Sequence, residues 1–309
     1  MPGAGDGERA VPGDGERAVA GAGGAERTVA DLAADLLAVE ASRSAFPTER
    51  PTPSIGSPAV GTGPSSPGLG AVLEIRSLDA AYGNQQVLFG VDLDVGRGEA
   101  LALLGTNGAG KTTLLRTISG LHRARRGVVR FQGRDLSTTD AATRVQLGIV
   151  GVPGGRATFP SLSVLDNLLV GCHLFAWDGD RVRRRIAAVL EVFGRLGERL
   201  DQPAGTLSGG EQQMLALAKA LLPEPALLLI DELSLGLAPV VVEQLLEVVA
   251  TLAAAGTTMI IVEQSINVAL AIADRAVWLE KGRTRFVGAT AELLDRHDLV
   301  KQVFLGGRS

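Results

Sequence analysis

The chain has 309 residues, 46% of them hydrophobic, and a formal net charge of −4. This length exceeds the usual size of one domain, so a large folded domain fits together with an extra segment. The slightly acidic balance provides no overall attraction to polyanions, which disfavours nucleic acid as a partner. No run approaches the roughly 18 consecutive apolar residues that a membrane-spanning helix needs.

Compartment signals point to the cytoplasm. Cys172 is the only cysteine in the chain, so an intrachain disulfide is impossible and nothing suggests an oxidising compartment. The first 30 residues contain acidic and glycine residues in place of the basic and apolar regions of a secretory signal. We therefore expect a cytoplasmic protein.

Residues 1–70 form a segment rich in Gly, Ala, Pro and Ser, in which the sequence GDGERAV occurs twice. Such a composition buries too little apolar surface to offset the entropy of ordering, so this extension is predicted to be disordered. Residues 29–41 are an exception, because their apolar residues recur at the spacing of a short amphipathic helix. A separate folded domain is predicted over residues 71–309.

From residue 71 onward the sequence alternates between strand-like and helical patterns. We predict strands over residues 73–78, 91–95, 99–104, 128–131, 148–152, 227–230 and 258–262. Helical patterns begin near residue 111 and cover residues 163–200 and 240–255. This alternation predicts an α/β fold with a mostly parallel sheet and helices on both faces.

A phosphate-binding loop is predicted between the strand that ends at residue 104 and the following helix. The segment GTNGAGKTT matches the pattern G-x4-G-K-[ST], whose glycines let backbone N–H groups point at phosphate oxygens. The lysine of such a loop binds the β- and γ-phosphates, and the hydroxyl after it binds Mg²⁺. The predicted nucleotide-binding residues here are Gly105, Asn107, Gly108, Gly110, Lys111, Thr112 and Thr113.

The helical region carries four arginines close together, Arg181, Arg183, Arg184 and Arg185. We interpret them first as a solvated helix face, and second as a contact for a partner or for lipid headgroups.

A second candidate anion site is the segment LSGGEQQ, which precedes a helical run. Ser208 can cap that helix, while Gly209 and Gly210 let an anion approach its N-terminus.

Two acidic residues follow the apolar strand of residues 227–230, at the sheet edge where a phosphate loop places its ligand. Asp231 is predicted to hold Mg²⁺ together with Thr112, and Glu232 to deprotonate the attacking water.

Together these motifs resemble the ABC ATPase superfamily, over essentially all of residues 71–309. The resemblance implies a P-loop NTPase fold of ABC type, with a small antiparallel β subdomain and a helical subdomain at about residues 155–210. It further implies that the LSGGEQQ segment, the signature, binds the γ-phosphate of ATP held by a second ATPase subunit, in a head-to-tail dimer. Tyr82 lies where the family stacks an aromatic ring on adenine, and Gln264 occupies the switch position that is usually His.

The subfamily follows from the segments SLGLAP, VEQ, GRATFPSLSVLDNL and the C-terminal FLGG. They are similar to one of the two ATPases of branched-chain amino acid importers, and related importers of urea and short amides share them. The resemblance implies ATP and Mg²⁺ as cofactors, and two membrane permease subunits and an extracytoplasmic solute-binding protein as partners. It implies a peripheral position at the cytoplasmic face of the plasma membrane.

Two positions depart from the family pattern. Gly154 replaces a Gln or Glu that links the γ-phosphate region to the permease-facing subdomain, and Leu233 replaces the Pro after the catalytic Glu. We expect Leu233 to loosen its loop without removing chemistry. Gly154 leads to the hypothesis of reduced coupling or slower turnover, and keeps open a weakly active, nucleotide-gated partner subunit as the alternative function.

Overall fold

The computed structural model describes residues 70–155, 157–234 and 236–295. The predictions made for residues 1–69, including the helix at residues 29–41, lie outside these ranges, as does the FLGG segment.

The strands, numbered in chain order, are β1 (Ala71–Tyr82), β2 (Gln85–Gly96), β3 (Ala100–Leu104), β4 (Arg126–Phe131), β5 (Arg134–Asp135), β6 (Ile149–Val152), β7 (Leu227–Asp231), β8 (Met259–Val262), β9 (Arg275–Glu280) and β10 (Arg283–Ala289). The α-helices are α1 (Lys111–Ile118), α2 (Ala141–Gln146), α3 (Val164–Gly171), α4 (Gly179–Val192), α5 (Gly194–Gly197), α6 (Gly209–Leu221), α7 (Pro239–Ala254) and α8 (Ile266–Ile272). Short 3₁₀ turns occupy His173–Phe175, Ala204–Thr206 and Thr290–Asp295.

Two sheets organise these strands. The larger sheet has the order β10-β9-β3-β8-β7-β6, in which only the β9–β10 pair is antiparallel. The smaller sheet is antiparallel throughout, with the order β2-β1-β4-β5. The mostly parallel core sheet and the antiparallel subdomain predicted for the fold are confirmed.

The central strand β3 shows how the large sheet is buried on both faces. Ala102 and Leu104 belong to the core that includes the helices between β6 and β7, whereas Leu101 and Leu103 belong to the core beneath the antiparallel sheet. Successive side chains of a strand point to opposite faces, so a strand covered on both sides is apolar throughout. This explains why the parallel strands lack an alternating pattern in the sequence.

The β9–β10 hairpin was not anticipated from the sequence. Its turn residue Gly282 donates its N–H to Ala109 O at 2.9 Å, and its carbonyl accepts from Phe89 N at 2.9 Å. A Cβ at Gly282 would lie 1.8 Å from Val87 O, so only glycine permits this approach. One turn thus joins the phosphate loop, the core sheet and strand β2.

None of the helices in the described ranges is long and apolar enough to cross a membrane.

Candidate functional site

The segment between β3 and α1 has the backbone geometry of a phosphate-binding loop. Gly105 has φ 147° and Gly110 has φ 104°, both in the left-handed region that favours glycine. A Cβ would lie 2.2 Å from Leu279 O at Gly105, and 2.7 Å from Leu88 Cδ2 at Gly110. No side chain caps the N-terminus of α1, so its first N–H groups are free of side-chain competition for an anion.

Lys111 is folded back into this loop. Its side chain is buried, and Nζ donates to Gly105 O at 2.8 Å and to Thr106 O at 3.2 Å. Burial lowers the pKa of Lys111, while the nearby carboxylates of Glu232 and Asp231 oppose that shift. The ammonium group is therefore held in the loop by two carbonyl oxygens, which phosphate oxygens can replace.

Thr112 and Asp231 form a pair of oxygen donors beside the loop. Thr112 Oγ1 lies 3.5 Å from Asp231 Oδ1, because β7 ends at Asp231 directly against the start of α1. Burial raises the pKa of Asp231, and the hydrogen bond from Thr112 opposes that shift without cancelling it. A hydroxyl and a carboxylate suit Mg²⁺, which takes few protein ligands and fills its other positions with water and phosphate. The residues present fit this ion, although the described ranges contain no cluster of three or more potential His, Cys, Asp or Glu ligands.

Glu232 is held at its backbone and at its carboxylate. Its φ of 47° is in the left-handed region, where non-glycine residues are strained, and its N–H donates to Val262 O at 3.0 Å. Gln264 Nε2 donates to Glu232 Oε1 at 2.9 Å. The structure thus joins the predicted general base, Glu232, to the residue at the switch position, Gln264.

Glu263 is a buried acid that sequence reasoning missed. Its Oε2 accepts from Ser234 Oγ at 2.8 Å, while the described part of the chain provides no hydrogen-bond partner for its buried Oε1. Burial raises the pKa of Glu263, and the negative charge of Glu232 adds to that shift. Its position directly before Gln264, after an apolar strand, was the only available signal.

Tyr82 lies at the end of β1, with 45% of its surface exposed. Tyr82 pairs with Gln85 across the β1–β2 hairpin. Leu88, which lies three residues after Gln85 on β2, packs against Gly110 of the phosphate loop. Three residues of strand span about 10 Å, so the ring lies within a short reach of the phosphate loop.

The signature segment begins α6 with a complete capping box. Glu211 N donates to Ser208 Oγ at 3.3 Å, and Ser208 N donates to Glu211 Oε2 at 2.8 Å. Burial raises the pKa of Glu211, but the hydrogen bonds from Ser208 and the positive charge of Arg199 outweigh it, so the pKa is lowered.

The two signature glycines differ in environment. Gly209 is exposed, whereas Gly210 is buried, and a Cβ there would lie 2.0 Å from Val241 Cγ1 on α7. Gly210 thus permits close helix packing, a role that sequence reasoning did not assign to it. The described hydrogen bonds join the signature to its own helix and to the preceding turn, where Leu207 N donates to Ala204 O, and none joins it to the phosphate loop.

Gly154 lies directly beside the acidic pair. A Cβ built on it would be 3.0 Å from Asp231 O and 3.8 Å from the Cβ of Glu232. Leu233 is 2% exposed and packs into the larger core. Its burial anchors the turn after Glu232, which argues against the looser loop expected from the sequence.

The loop that follows Gly154 is tied to the helices by two residues that the sequence did not single out. Asn167 is fully buried; its Oδ1 accepts from Phe159 N at 2.8 Å, and its Nδ2 donates to the carbonyls of Phe159 at 3.0 Å and Ser163 at 2.9 Å. Lys219 of α6 donates to Ala157 O at 3.0 Å and lies 4.5 Å from the centre of the Phe159 ring. The loop next to the acidic pair is therefore anchored to both α3 and α6.

Three of the four clustered arginines are used within the chain. Arg181 and Arg185 pair with Glu224, and Arg183 pairs with Asp180. These contacts favour the solvated-face interpretation over a contact for lipid headgroups.

A family model described as ABC transporter matches residues 88–234. The chain is 43% identical over 236 residues to the high-affinity branched-chain amino acid transport ATP-binding protein BraG of Pseudomonas aeruginosa. The alignment covers 76% of this chain and 100% of that protein. It is 36% identical over 236 residues to the probable branched-chain amino acid transport ATP-binding protein LivF of Archaeoglobus fulgidus, with 76% and 99% covered.

Among solved structures, an ATP-binding cassette of an ABC transporter in its ADP conformation superposes with a TM-score of 0.69 at 25% identity. The match covers 76% of this chain and 99% of that one. The chain therefore belongs to the ABC transporter family. Within that family it is an ATP-binding subunit, with the fold of the ATPase cassettes.

Proposed function

We propose that this subunit hydrolyses ATP at sites shared between two ATPase subunits and so drives import of branched-chain amino acids. The observation that carries the proposal is the convergence of Lys111, the Thr112–Asp231 pair and the Glu232–Gln264 pair at one edge of the parallel sheet. These groups provide a cation for phosphate, oxygen ligands for a metal and a fixed carboxylate.

In this proposal the phosphate loop binds the triphosphate of ATP. The N–H groups at the start of α1 and the Lys111 ammonium contact its β- and γ-phosphates. Thr112 and Asp231 hold Mg²⁺, which neutralises charge on the phosphates when bound. Tyr82 stacks on the adenine.

Glu232 accepts a proton from the attacking water, and Gln264 keeps its carboxylate in place. The hydrogen bond of 2.9 Å to Gln264 leaves Oε2 of Glu232 for the water. The left-handed backbone of Glu232 supports this role, because such strain clusters at functional sites.

The second half of each site comes from the N-terminus of α6 in a second ATPase subunit. The exposed Gly209 presents its backbone N–H and the positive end of the helix dipole to the γ-phosphate. The capping box supports this, because it holds the first turn of α6 in shape before an anion arrives.

The solute is inferred from the relatives, two of which are branched-chain amino acid transport proteins covered over nearly their whole length. Two permease subunits and an extracytoplasmic solute-binding protein complete the importer, with this subunit at the cytoplasmic face of the membrane. Import of urea or a short amide is the alternative.

Reconstitution of the subunit with its permeases and binding protein in proteoliposomes tests the proposal. We expect ATP-dependent uptake of labelled leucine, and its loss with Lys111→Ala. Uptake of urea in place of leucine would reassign the solute, and uptake that survives Lys111→Ala would remove ATP binding at this loop from the mechanism.

Gly154 favours a second candidate function, that of a weakly active partner that gates transport by binding ATP. The site beside Asp231 and Glu232 lacks the polar side chain that the family places there. Steady-state ATPase measurement separates the two functions, because only a weakly active partner would bind ATP without appreciable turnover.

A further inference from the structure

The exposed Tyr82 ring has a second aromatic ring behind it. The centre of the His122 imidazole lies 4.3 Å from the centre of the Tyr82 ring, with 35° between the ring planes. That distance is just below the usual range of about 4.5–7 Å for aromatic pairs, so no base fits between the rings. A nucleobase can therefore stack only on the face of Tyr82 that points away from His122.

The segment that carries His122 is also bonded to the hairpin. Arg125 Nη2 donates to Gly83 O at 2.7 Å, and Arg125 N donates to Asp79 O at 2.7 Å. His122 N in turn donates to Arg116 O of helix α1 at 3.0 Å. The loop of residues 121–125 therefore connects the hairpin that presents Tyr82 to the helix that begins at the phosphate loop.

The imidazole occupies this position at an energetic cost. His122 Nε2 is buried, and no hydrogen-bond partner for it exists among the described residues. An unpaired buried nitrogen destabilises a fold, and such an atom calls for an explanation. The contact between the His122 ring and the Tyr82 ring explains why an imidazole is present here, because that contact needs an aromatic ring and does not use the nitrogen.

We propose that His122 is a positioning residue for the nucleobase, which fixes the Tyr82 ring so that its exposed face is ready to stack on adenine. The inference rests on the proposed stacking of adenine on Tyr82. Holding the ring in advance removes the cost of ordering it when the nucleotide binds. The phosphate contacts do not involve His122, so its effect is confined to the base.

The test compares a ligand that has a base with one that lacks it. Isothermal titration calorimetry of the full chain measures the Kd of ADP and of inorganic pyrophosphate. We expect His122→Ala to weaken ADP about two- to tenfold, the effect of one aromatic pair, and to change the Kd of pyrophosphate less than twofold. His122→Phe keeps the ring without the unpaired nitrogen, so it should bind ADP like the wild type.

Two further variants complete the design. Leu121→Ala is the matched control, since Leu121 is the neighbouring residue and is 72% exposed; it should leave both ligands unchanged. Tyr82→Ala should weaken ADP at least as much as His122→Ala.

The measured affinities distinguish a failure of the role proposed for His122 from a failure of base stacking on Tyr82. Equal weakening of ADP and pyrophosphate by His122→Ala would overturn the proposal, because the effect would then reach the phosphate loop or the whole fold. Loss of ADP affinity in Tyr82→Ala but not in His122→Ala would overturn it while leaving base stacking on Tyr82 intact. Unchanged ADP affinity in Tyr82→Ala would reject base stacking itself, and the role of His122 with it.

Discussion

At the scale of single residues, the site depends on side chains held in place before any ligand binds. Glu232 combines a left-handed backbone with a hydrogen bond from Gln264, and Lys111 is bonded to two loop carbonyls. Such preorganisation reduces the reorganisation needed at the moment of reaction.

Glu232→Gln should lower the rate of ATP hydrolysis by about a hundred- to ten-thousand-fold and spare ATP binding. The amide keeps the size of the side chain but cannot accept the proton of the water. The rate of phosphate release checks the predicted loss of hydrolysis, and nucleotide affinity, measured on the same preparation, checks that ATP binding is retained. An unchanged hydrolysis rate would remove Glu232 from the role of general base.

Gly154→Glu should raise transport coupling or turnover if the missing polar side chain limits them. The added Cβ meets Asp231 O at 3.0 Å, so the neighbouring backbone must shift by a few tenths of an ångström. Gly154→Ala is the control, because it adds the same Cβ without the carboxylate. Equal ATPase and uptake rates in the wild type and in Gly154→Glu would defeat the hypothesis of reduced coupling.

At the scale of secondary-structure elements, the packing of α6 on α7 gives one signature glycine a structural role that the motif alone does not reveal. Gly210 is buried at the point where Val241 of α7 approaches α6. Close packing of this kind leaves no room for one additional methyl group.

Gly210→Ala should therefore lower the free energy of unfolding by about 1–3 kcal/mol, because its Cβ would lie 2.0 Å from Val241 Cγ1. The double variant Gly210→Ala with Val241→Ala should recover part of that loss, since the second change removes the atom in conflict. Gly209→Ala, at an exposed position, should cost less. Urea unfolding curves of these four proteins and of Val241→Ala alone provide the comparison, and losses in the double variant equal to the sum of the two single losses would contradict the prediction.

Some structural elements of this chain can be predicted from the sequence and others cannot. The phosphate loop and the parallel strands were predictable, because a fixed spacing of glycines and uninterrupted apolar runs are local signals. The β9–β10 hairpin was not predicted, and neither were the roles of Asn167 and Lys219. Lys219 contacts Ala157 O, which only tertiary packing brings close, and Asn167 contacts nearby backbone groups of a loop whose conformation has no local sequence signal.

At the scale of the whole molecule, one chain carries two helix starts that we propose to bind phosphate, with no described hydrogen bond between them. A closed two-fold dimer would use both halves of each subunit, which is the arrangement proposed above.

Glu232→Gln should accordingly form a dimer in the presence of ATP and Mg²⁺, because the nucleotide is bound but not consumed. Sedimentation velocity with and without ATP measures the change in mass. Adding Ser208→Arg, which puts a bulky side chain at the exposed start of α6, should abolish it. A monomer at every ATP concentration would contradict a dimer formed by this subunit alone.

The turn at Gly282 bears on where the molecule can deform. Its bonds to Ala109 O and Phe89 N tie the antiparallel sheet to the phosphate loop. A sliding motion between the two sheets would break the bond to Phe89, so the antiparallel sheet that carries Tyr82 and the phosphate loop are expected to move as a single unit. The helices between β6 and β7 join the core sheet through the segments before α3 and after α6, so a movement of these helices relative to the sheet is expected to occur at those segments.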